Sequence, residues 1–262
     1  MSRAIPIRPK DWMCFRCRRC AGCCRDLEGQ LMLEPLDAYR LARCLREQGE
    51  AGSIHDVYER YAHTDLLEGR LPIYLMNTVV DDHACVLLKD GRCSAYEGRP
   101  SVCRIYPLSV RPGERGKPFE YYRCVDQHAA HFSDGKIQVK DWLHENFSRE
   151  SREFWAAEGS ALPTLGCLLN KLDAGKLRAS LFQILYYRYY NYDLDLPFMP
   201  QYQKNMSALE RRIGRRWVRC AVCGNRALLD RVRAGQPRPK DWRVMAVPSS
   251  VVGTGQTLMK SA

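Results

Sequence analysis

Phe15-Arg-Cys17-Arg-Arg-Cys20-Ala-Gly-Cys23-Cys24 places four cysteines in eight residues, a density that core packing does not ask for. Thiolates at this spacing are ligands for soft metal ions. A tetrahedral or cuboidal centre needs several sulfurs at one point, and two-residue spacers in a short loop turn successive cysteines inward while backbone amides face their sulfurs. Three cysteines each separated by two residues match the opening of a ferredoxin-type run, whereas zinc sites more often take two per loop. On spacing alone, iron is favoured slightly over zinc. Neighbouring side chains diverge, so Cys24 suggests a second metal or a bridging sulfur.

Four further cysteines can join this loop. In Cys85-Val-Leu-Leu-Lys-Asp90-Gly91-Arg-Cys93, apolar residues flank an Asp-Gly dipeptide suited to a tight hairpin, which would bring Cys85 and Cys93 onto neighbouring strands to share one metal. His83, two residues before Cys85, could be a ligand or a proton carrier, although a single histidine near a turn reads first as an exposed one. Cys103 lies between Pro100 and Pro107. Around it, Arg99 and Arg104 can donate to a thiolate or a carboxylate, and Tyr96 and Tyr106 can cover the site from water; ordinary ion pairing and packing explain them equally well. Leu108 to Val110 and Phe119 to Tyr122 alternate like strands around the polar loop 112–117, and the second delivers Cys124. Cys14 reads either as a further ligand or as a reduced thiol beside the site, and Cys44 as a core residue.

The ordered combination Cys17-x-x-Cys20-x-x-Cys23-Cys24, Cys85-Val-Leu-Leu with Cys93-Ser-Ala-Tyr96, and Arg99-Pro100-x-x-Cys103-Arg104-x-Tyr106-Pro107 resembles the zinc- or iron-chelating CxxCxxCC cysteine-cluster family over about residues 15 to 125. The resemblance implies cytosolic metal chelation, with Cys17, Cys20, Cys23, Cys24, Cys85, Cys93, Cys103 and Cys124 as ligands for zinc or for iron, an iron-sulfur cluster included. It implies no settled reaction or substrate. Some members are labelled iron-sulfur oxidoreductases and a related pattern occurs in flagellin lysine methylases, but neither activity travels with the motif. Cys14, Cys44, Cys167, Cys220 and Cys223 fall outside the shared pattern.

The 262 residues that must position these thiols can bury a real core in one or two domains. Thirteen cysteines is an odd count and the N-terminus has no apolar signal region, so reduced cytoplasmic thiols are expected in place of a secreted disulfide framework. No apolar run approaches the roughly 20 residues that span a bilayer. The 41 basic against 30 acidic residues give a net charge of +11, which suits an anionic partner. Metal-bound thiolates correct that figure, because a four-thiolate zinc site sums to about minus two and two such sites would cancel about a third of the excess. Arg16, Arg18, Arg19 and Arg25 sit where they can offset thiolate charge, so nucleic acid is admitted as a partner but not favoured.

The pattern predicts an α+β chain: a small metal-organised cysteine-cluster domain of short hairpins and helices over 13–130, a helical region over 131–219, and a Cys220-Ala-Val-Cys223 segment with a mobile tail over 220–262. Residues 1–10, with two prolines and no strong pattern, read as an unanchored lead. Leu31-Met-Leu33 is a short apolar run, and Pro35 opens a helix to about residue 48. Ser53 caps a second short helix with Asp56 three residues on, and 73–80 favours a strand. Helical spacing recurs over 139–158, where Trp142, Leu143, Phe147, Phe154 and Trp155 form a buried stripe, and again over 162–172 and 176–190, which Ala174-Gly175 separates. The tyrosines of 186–192 could stack on bases, yet their spacing favours the core. A basic helix is expected over 207–219. Cys220 and Cys223 are half of a zinc knuckle that would need two more ligands.

No hydrolytic triad, phosphate-cradling glycine loop, dinucleotide fingerprint or His-Glu-x-x-His pattern occurs. Three readings follow: a metal-chelating protein first, then an iron-sulfur redox or methyl-transfer enzyme using the same cysteines, then a zinc-stabilised nucleic-acid binder.

Overall fold

A computed structural model describes residues 4–27, 29–50, 52–112, 119–124 and 135–217. The fold is α+β, as the sequence predicts, and the Cys220-Cys223 pair and the tail lie outside the described residues. Strand β1 (Ala4–Ile7) leads to β2 (Trp12–Cys14), the cysteine loop and a single 3₁₀ turn (Gly22–Cys24). Helices α1 (Pro35–Glu47) and α2 (Ile54–Tyr61) are followed by the hairpin of β3 (Ala62–Leu67) and β4 (Leu71–Met76). Two short strands, β5 (Leu88–Lys89) and β6 (Arg92–Cys93), precede α3 (Ser101–Ile105), β7 (Leu108–Pro112) and β8 (Phe119–Cys124). The chain ends in β9 (Lys136–Gln138), α4 (Val139–Asn146), α5 (Arg149–Leu169), α6 (Ala174–Ile184), a π-helical stretch over Leu185–Tyr190 and α7 (Phe198–Trp217). Among the described residues no helix is long and apolar enough to cross a membrane.

The expected helices near residues 35 and 53 form as their caps direct. Pro35 occupies the first turn of α1, where its missing N–H is no loss. At α2, Ser53 Oγ accepts from the Asp56 amide and Asp56 Oδ2 accepts from the Ser53 amide, a reciprocal cap worth about 1 kcal/mol. The strand expected over 73–80 ends at Met76, and Val79 and Val80 are exposed. Every residue of β4 is buried, with Leu71, Tyr74 and Met76 in the main core, and both its edges are paired, by β3 and by Leu31-Met-Leu33: the Met76 amide donates to Leu31 O and the Leu33 amide to Tyr74 O, both at 2.8 Å. The Asp90-Gly91 turn forms as expected, with both residues at positive φ and Leu88 opposite Cys93.

The unanchored lead expected over 1–10 is paired from Ala4 on, where the described residues begin. Ala4–Ile7 pairs antiparallel with β8 in a sheet of order β1-β8-β7, and Pro6 is tolerated because β1 is an edge strand. Lys136–Gln138 similarly pairs with Trp12–Cys14. The helical second half also breaks elsewhere than expected. A new helix starts after Ser148, whose side chain accepts from the Ser151 amide, and α5 then runs unbroken to Leu169. Ala174-Gly175 lies inside the first turn of α6, which Asp173 caps. The last helix starts at Phe198, nine positions before Ser207.

One apolar core joins α1, α2 and β4 to α5, α6 and α7, and a second gathers Met13, Phe15, Ile105, Leu108, Val139, Leu143 and Phe147 beneath the cysteine loop. Part of the tyrosine run packs as core: Tyr189 is buried against Tyr58 and Tyr74 and Tyr192 stacks on Phe198, while Tyr186 is exposed. Within the π-helical stretch the Arg188 guanidinium is buried too. It donates to Glu158 at 2.5 Å and to Glu34 at 2.8 Å, while Tyr202 also donates to Glu158. Burial pushes the Glu34 carboxyl up to about 8, against the opposing pull of Arg188. The folded chain therefore binds a proton more tightly at Glu34 than the unfolded chain does. This group's contribution to stability is complete below its ordinary value of 4.5 and is lost as the pH rises through about 8. Urea midpoints of wild type and Glu34→Gln measured across that window should show a steeper decline for wild type; identical slopes would remove Glu34 as the source.

Candidate metal centre

The main core backs Cys85, Cys93 and Cys103, and the second core lies beneath the entry to the cysteine loop. Phe15 sits under the cysteine loop with its ring edge-on to Trp142 and Tyr106, at centroid distances of 5.1 and 5.8 Å, and its amide donates to Gly135 O at 2.7 Å. Gly135 is at φ +78°, and a Cβ there would stand 2.9 Å from Arg16 Cβ, so only glycine lets the two segments approach. Above this anchor the loop runs exposed through Cys17 and Cys20, with Arg19 and Ala21 at positive φ, before the 3₁₀ turn carries Cys23 and Cys24 inward. The Cys85 amide donates to Cys24 O at 2.8 Å and fastens the start of the hairpin segment to the end of the loop.

Five thiols from three segments interact here: Cys23 and Cys24 from the loop, Cys85 and Cys93 from the hairpin segment, and Cys103 from α3. Cys23 and Cys24 share a hydrogen bond between their sulfurs. That bond, with Arg99 nearby, brings Cys23 down to about 7 in spite of burial, and the same bond pushes Cys24 up. Burial pushes Cys85, Cys93 and Cys103 up as well, and the other cysteines add to the rise at each. Two sulfurs are already solvated by backbone: the Leu87 amide donates to Cys85 and the Ala95 amide to Cys93, in each case from the residue two positions on. Leu87 and Ala95 are themselves buried, so these bonds are shielded from water.

The remaining candidates stand further out. Cys124, Cys23 and Cys20 all act on Tyr106, whose phenol is pushed up by burial first and then by these three cysteines. Cys17 is exposed on the way into the loop, and Cys14, also exposed, lies in β2 opposite Lys136. His83 is half-buried and its carbonyl accepts from the Leu27 amide at 2.9 Å. Cys167 is exposed on α5. Among the described residues no group of three or more His, Cys, Asp or Glu is arranged to hold a metal ion, so holding one requires these thiols to turn further inward. The donor set suits such an ion: sulfurs that burial keeps protonated become thiolates when a cation compensates them.

Charge and packing around the thiols come partly from Arg99, Arg104, Arg19 and Tyr96, which the sequence placed there, and partly from Gly98 and Asp37, which it did not. Arg99 stacks on Tyr96 at 3.7 Å and Arg19 on the same ring at 4.3 Å, which sets one guanidinium beside Cys23 and Cys93. Arg104 donates to Arg99 O at 3.0 Å. Cys44, on α1, adds to the rise at Cys93 and receives Gly98, where a Cβ would stand 2.5 Å from Cys44 Cβ. Asp37, buried in the first turn of α1, accepts from both the amide and the hydroxyl of Ser101. An acidic residue early in a helix looks like a partner for the helix dipole, so nothing in the sequence marked it.

The arrangement is a cysteine-rich segment of short loops and one short helix packed on an apolar core. Residues 16–133 match the family model described as "CxxCxxCC: Putative zinc- or iron-chelating domain", a span that contains all eight candidate cysteines. No curated protein and no solved structure matches the chain.

Gly98 offers a direct test of how the hairpin segment seats on α1. Gly98→Ala should cost roughly 1–3 kcal/mol by overpacking against Cys44 and the Arg40 carbonyl. Gly166→Ala, inside α5 with nothing within 4 Å of the new Cβ, should instead gain about 0.5–1 kcal/mol. Urea unfolding of the reduced protein compares the two, and equal effects would contradict the close seating.

Proposed function

We propose that the chain is a metal-chelating protein that binds zinc or iron through Cys17, Cys20, Cys23, Cys24, Cys85, Cys93, Cys103 and Cys124. The observation that carries this reading is the meeting of five thiols from three segments, two of them already accepting amides from two residues downstream. Cys23, Cys24, Cys85, Cys93 and Cys103 form the inner set. Cys20 and Cys124 complete it from the Tyr106 side, and Cys17 from the exposed arm of the loop. A bound cation supplies the positive charge that keeps these sulfurs as thiolates. Arg99 and Arg19 offset negative charge left after coordination, and Phe15, Leu87 and Ala95 keep water from the apolar side of the site. Reduced cytoplasmic thiols suit the role.

An iron-sulfur centre is the second form of the same site, favoured by the three cysteines spaced two residues apart at Cys17, Cys20 and Cys23. It would make redox or methyl-transfer chemistry accessible. Protein purified without air separates the two, since zinc is colourless and iron-sulfur clusters absorb visible light. In either form Cys103→Ala should weaken metal retention by about tenfold or more, whereas Cys167→Ala should leave metal content unchanged. Equal retention in both variants would exclude Cys103 from the site.

Chelation should act locally. The loop and the 83–106 segment have little regular structure and depend on cross-linking, whereas α1, α2 and β4 share the apolar core of the C-terminal helices. Hydrogen exchange with and without a chelator should therefore lose protection over 15–27 and 83–106 while 35–47 and 198–213 keep it. Uniform loss, or none, would contradict a metal-organised segment.

A further inference from the structure

Asp37 is 1% exposed, and its two carboxylate oxygens have different surroundings. Oδ1 accepts from the Ser101 amide at 2.8 Å and from the Ser101 hydroxyl at 2.6 Å, while Oδ2 is buried with no hydrogen-bond partner. Ser101 opens α3, and the first amides of a helix lack partners within it. The side chain preceding it belongs to Pro100, which cannot accept, so the bond must come from outside α3. Asp37 supplies it from α1.

The effect reaches the thiol two residues further along. The Cys103 and Arg104 amides both donate to Pro100 O at 3.0 Å, and Arg104 Nε returns to Arg99 O, so 99–104 behaves as one bonded turn with Asp37 at its foot. Cys103 packs on the main core with Cys85 and Cys93, and the charges of Cys85, Cys23, Asp37 and Cys93 act on its thiol. If the turn tilted, this sulfur would leave the group.

We propose that Asp37 is the positioning residue for Cys103: its Oδ1 anchors the first turn of α3 to α1 and so fixes the Cys103 sulfur among Cys23, Cys85 and Cys93. The inference rests on the chelating role of the cluster for its purpose, but not for its geometry. What it requires of residue 37 is one well-placed acceptor oxygen. Asparagine retains that oxygen and alanine does not. Ser101→Ala removes the hydroxyl bond and leaves the amide bond in place.

The test uses the full-length protein, reduced and stripped with a chelator, and follows N-ethylmaleimide labelling of each cysteine by peptide mass spectrometry with the exposed Cys167 as internal reference. Asp37→Ala should speed labelling of Cys103 relative to Cys167 by roughly tenfold or more, as expected for loss of hydrogen bonds to a buried carboxylate. Asp37→Asn should stay near wild type, and Ser101→Ala should fall between them. A wild-type rate at Cys103 in Asp37→Ala overturns the proposal, as does Asp37→Asn labelling as fast as Asp37→Ala. Should Asp37→Ala unfold altogether, faster labelling in Ser101→Ala with an unchanged Asp37→Asn supports the proposal, and equal rates in both overturn it. A parallel titration with Co²⁺ reads the thiolate-to-cobalt charge-transfer band, which should weaken in Asp37→Ala and recover in Asp37→Asn. Wild-type protein that takes up no cobalt would count against the chelating role alone, and the labelling comparison would still decide the positioning.

Discussion

A guanidinium taken out of water must be given partners, and the interior of this protein is arranged around that demand at Arg188. Its partners come from distant parts of the chain: Glu34 precedes α1, Glu158 belongs to α5, and Tyr202 of α7 donates to the same Glu158. Removing Glu158 would leave the buried Arg188 charge without its carboxylate, a far larger loss than breaking a surface pair. The π-helical stretch turns both Arg188 and Tyr189 inward, and Tyr189 donates to Pro72 O in β4. The network ties the start of α1 and strand β4 of the cysteine-bearing half to the helices that follow.

Helix α1 transmits that order to the thiols. Leu36, Leu41 and Leu45 are fully buried in the main core, Arg40 reaches the start of α5 through Ser148, Ser151 and Glu150, and Asp37, Cys44 and the Arg40 carbonyl meet the hairpin segment and α3. The site thus has one regular wall and several irregular ones. Loops made of turns and single bridges can follow a ligand, while the helix behind them stays fixed by packing that needs no metal.

Much of this was legible along the chain wherever the signal is local. Caps at Pro35 and Ser53 and the turn at Asp90-Gly91 are each contained within a few residues, and each marks what forms there. Pairings between distant segments left no such mark. Ala4–Ile7 is too short and too rich in proline to announce a strand, and becomes one only because β8 offers an unpaired edge. The break at Phe147-Ser148 was hidden because the apolar stripe continues across it, from Leu143 through Phe147 to Phe154, even though the helix axis does not. The spacing that marked the eight cysteines said nothing of Asp37 or Gly98, whose importance lies in what stands opposite them.

The short pairing at the beginning of the described chain has a mechanical consequence for the site. β8 is the middle strand of its sheet, with Ala4 opposite Cys124 on one side and β7 on the other, and the Cys124 amide donates to Pro107 O. Clipping by a protease before Arg8 would strip one flank from β8 and leave a bare hairpin, a unit that is barely stable by itself in water. Cys124 would then sit at a fraying border, so a cut more than a hundred residues away in sequence would be felt at this sulfur.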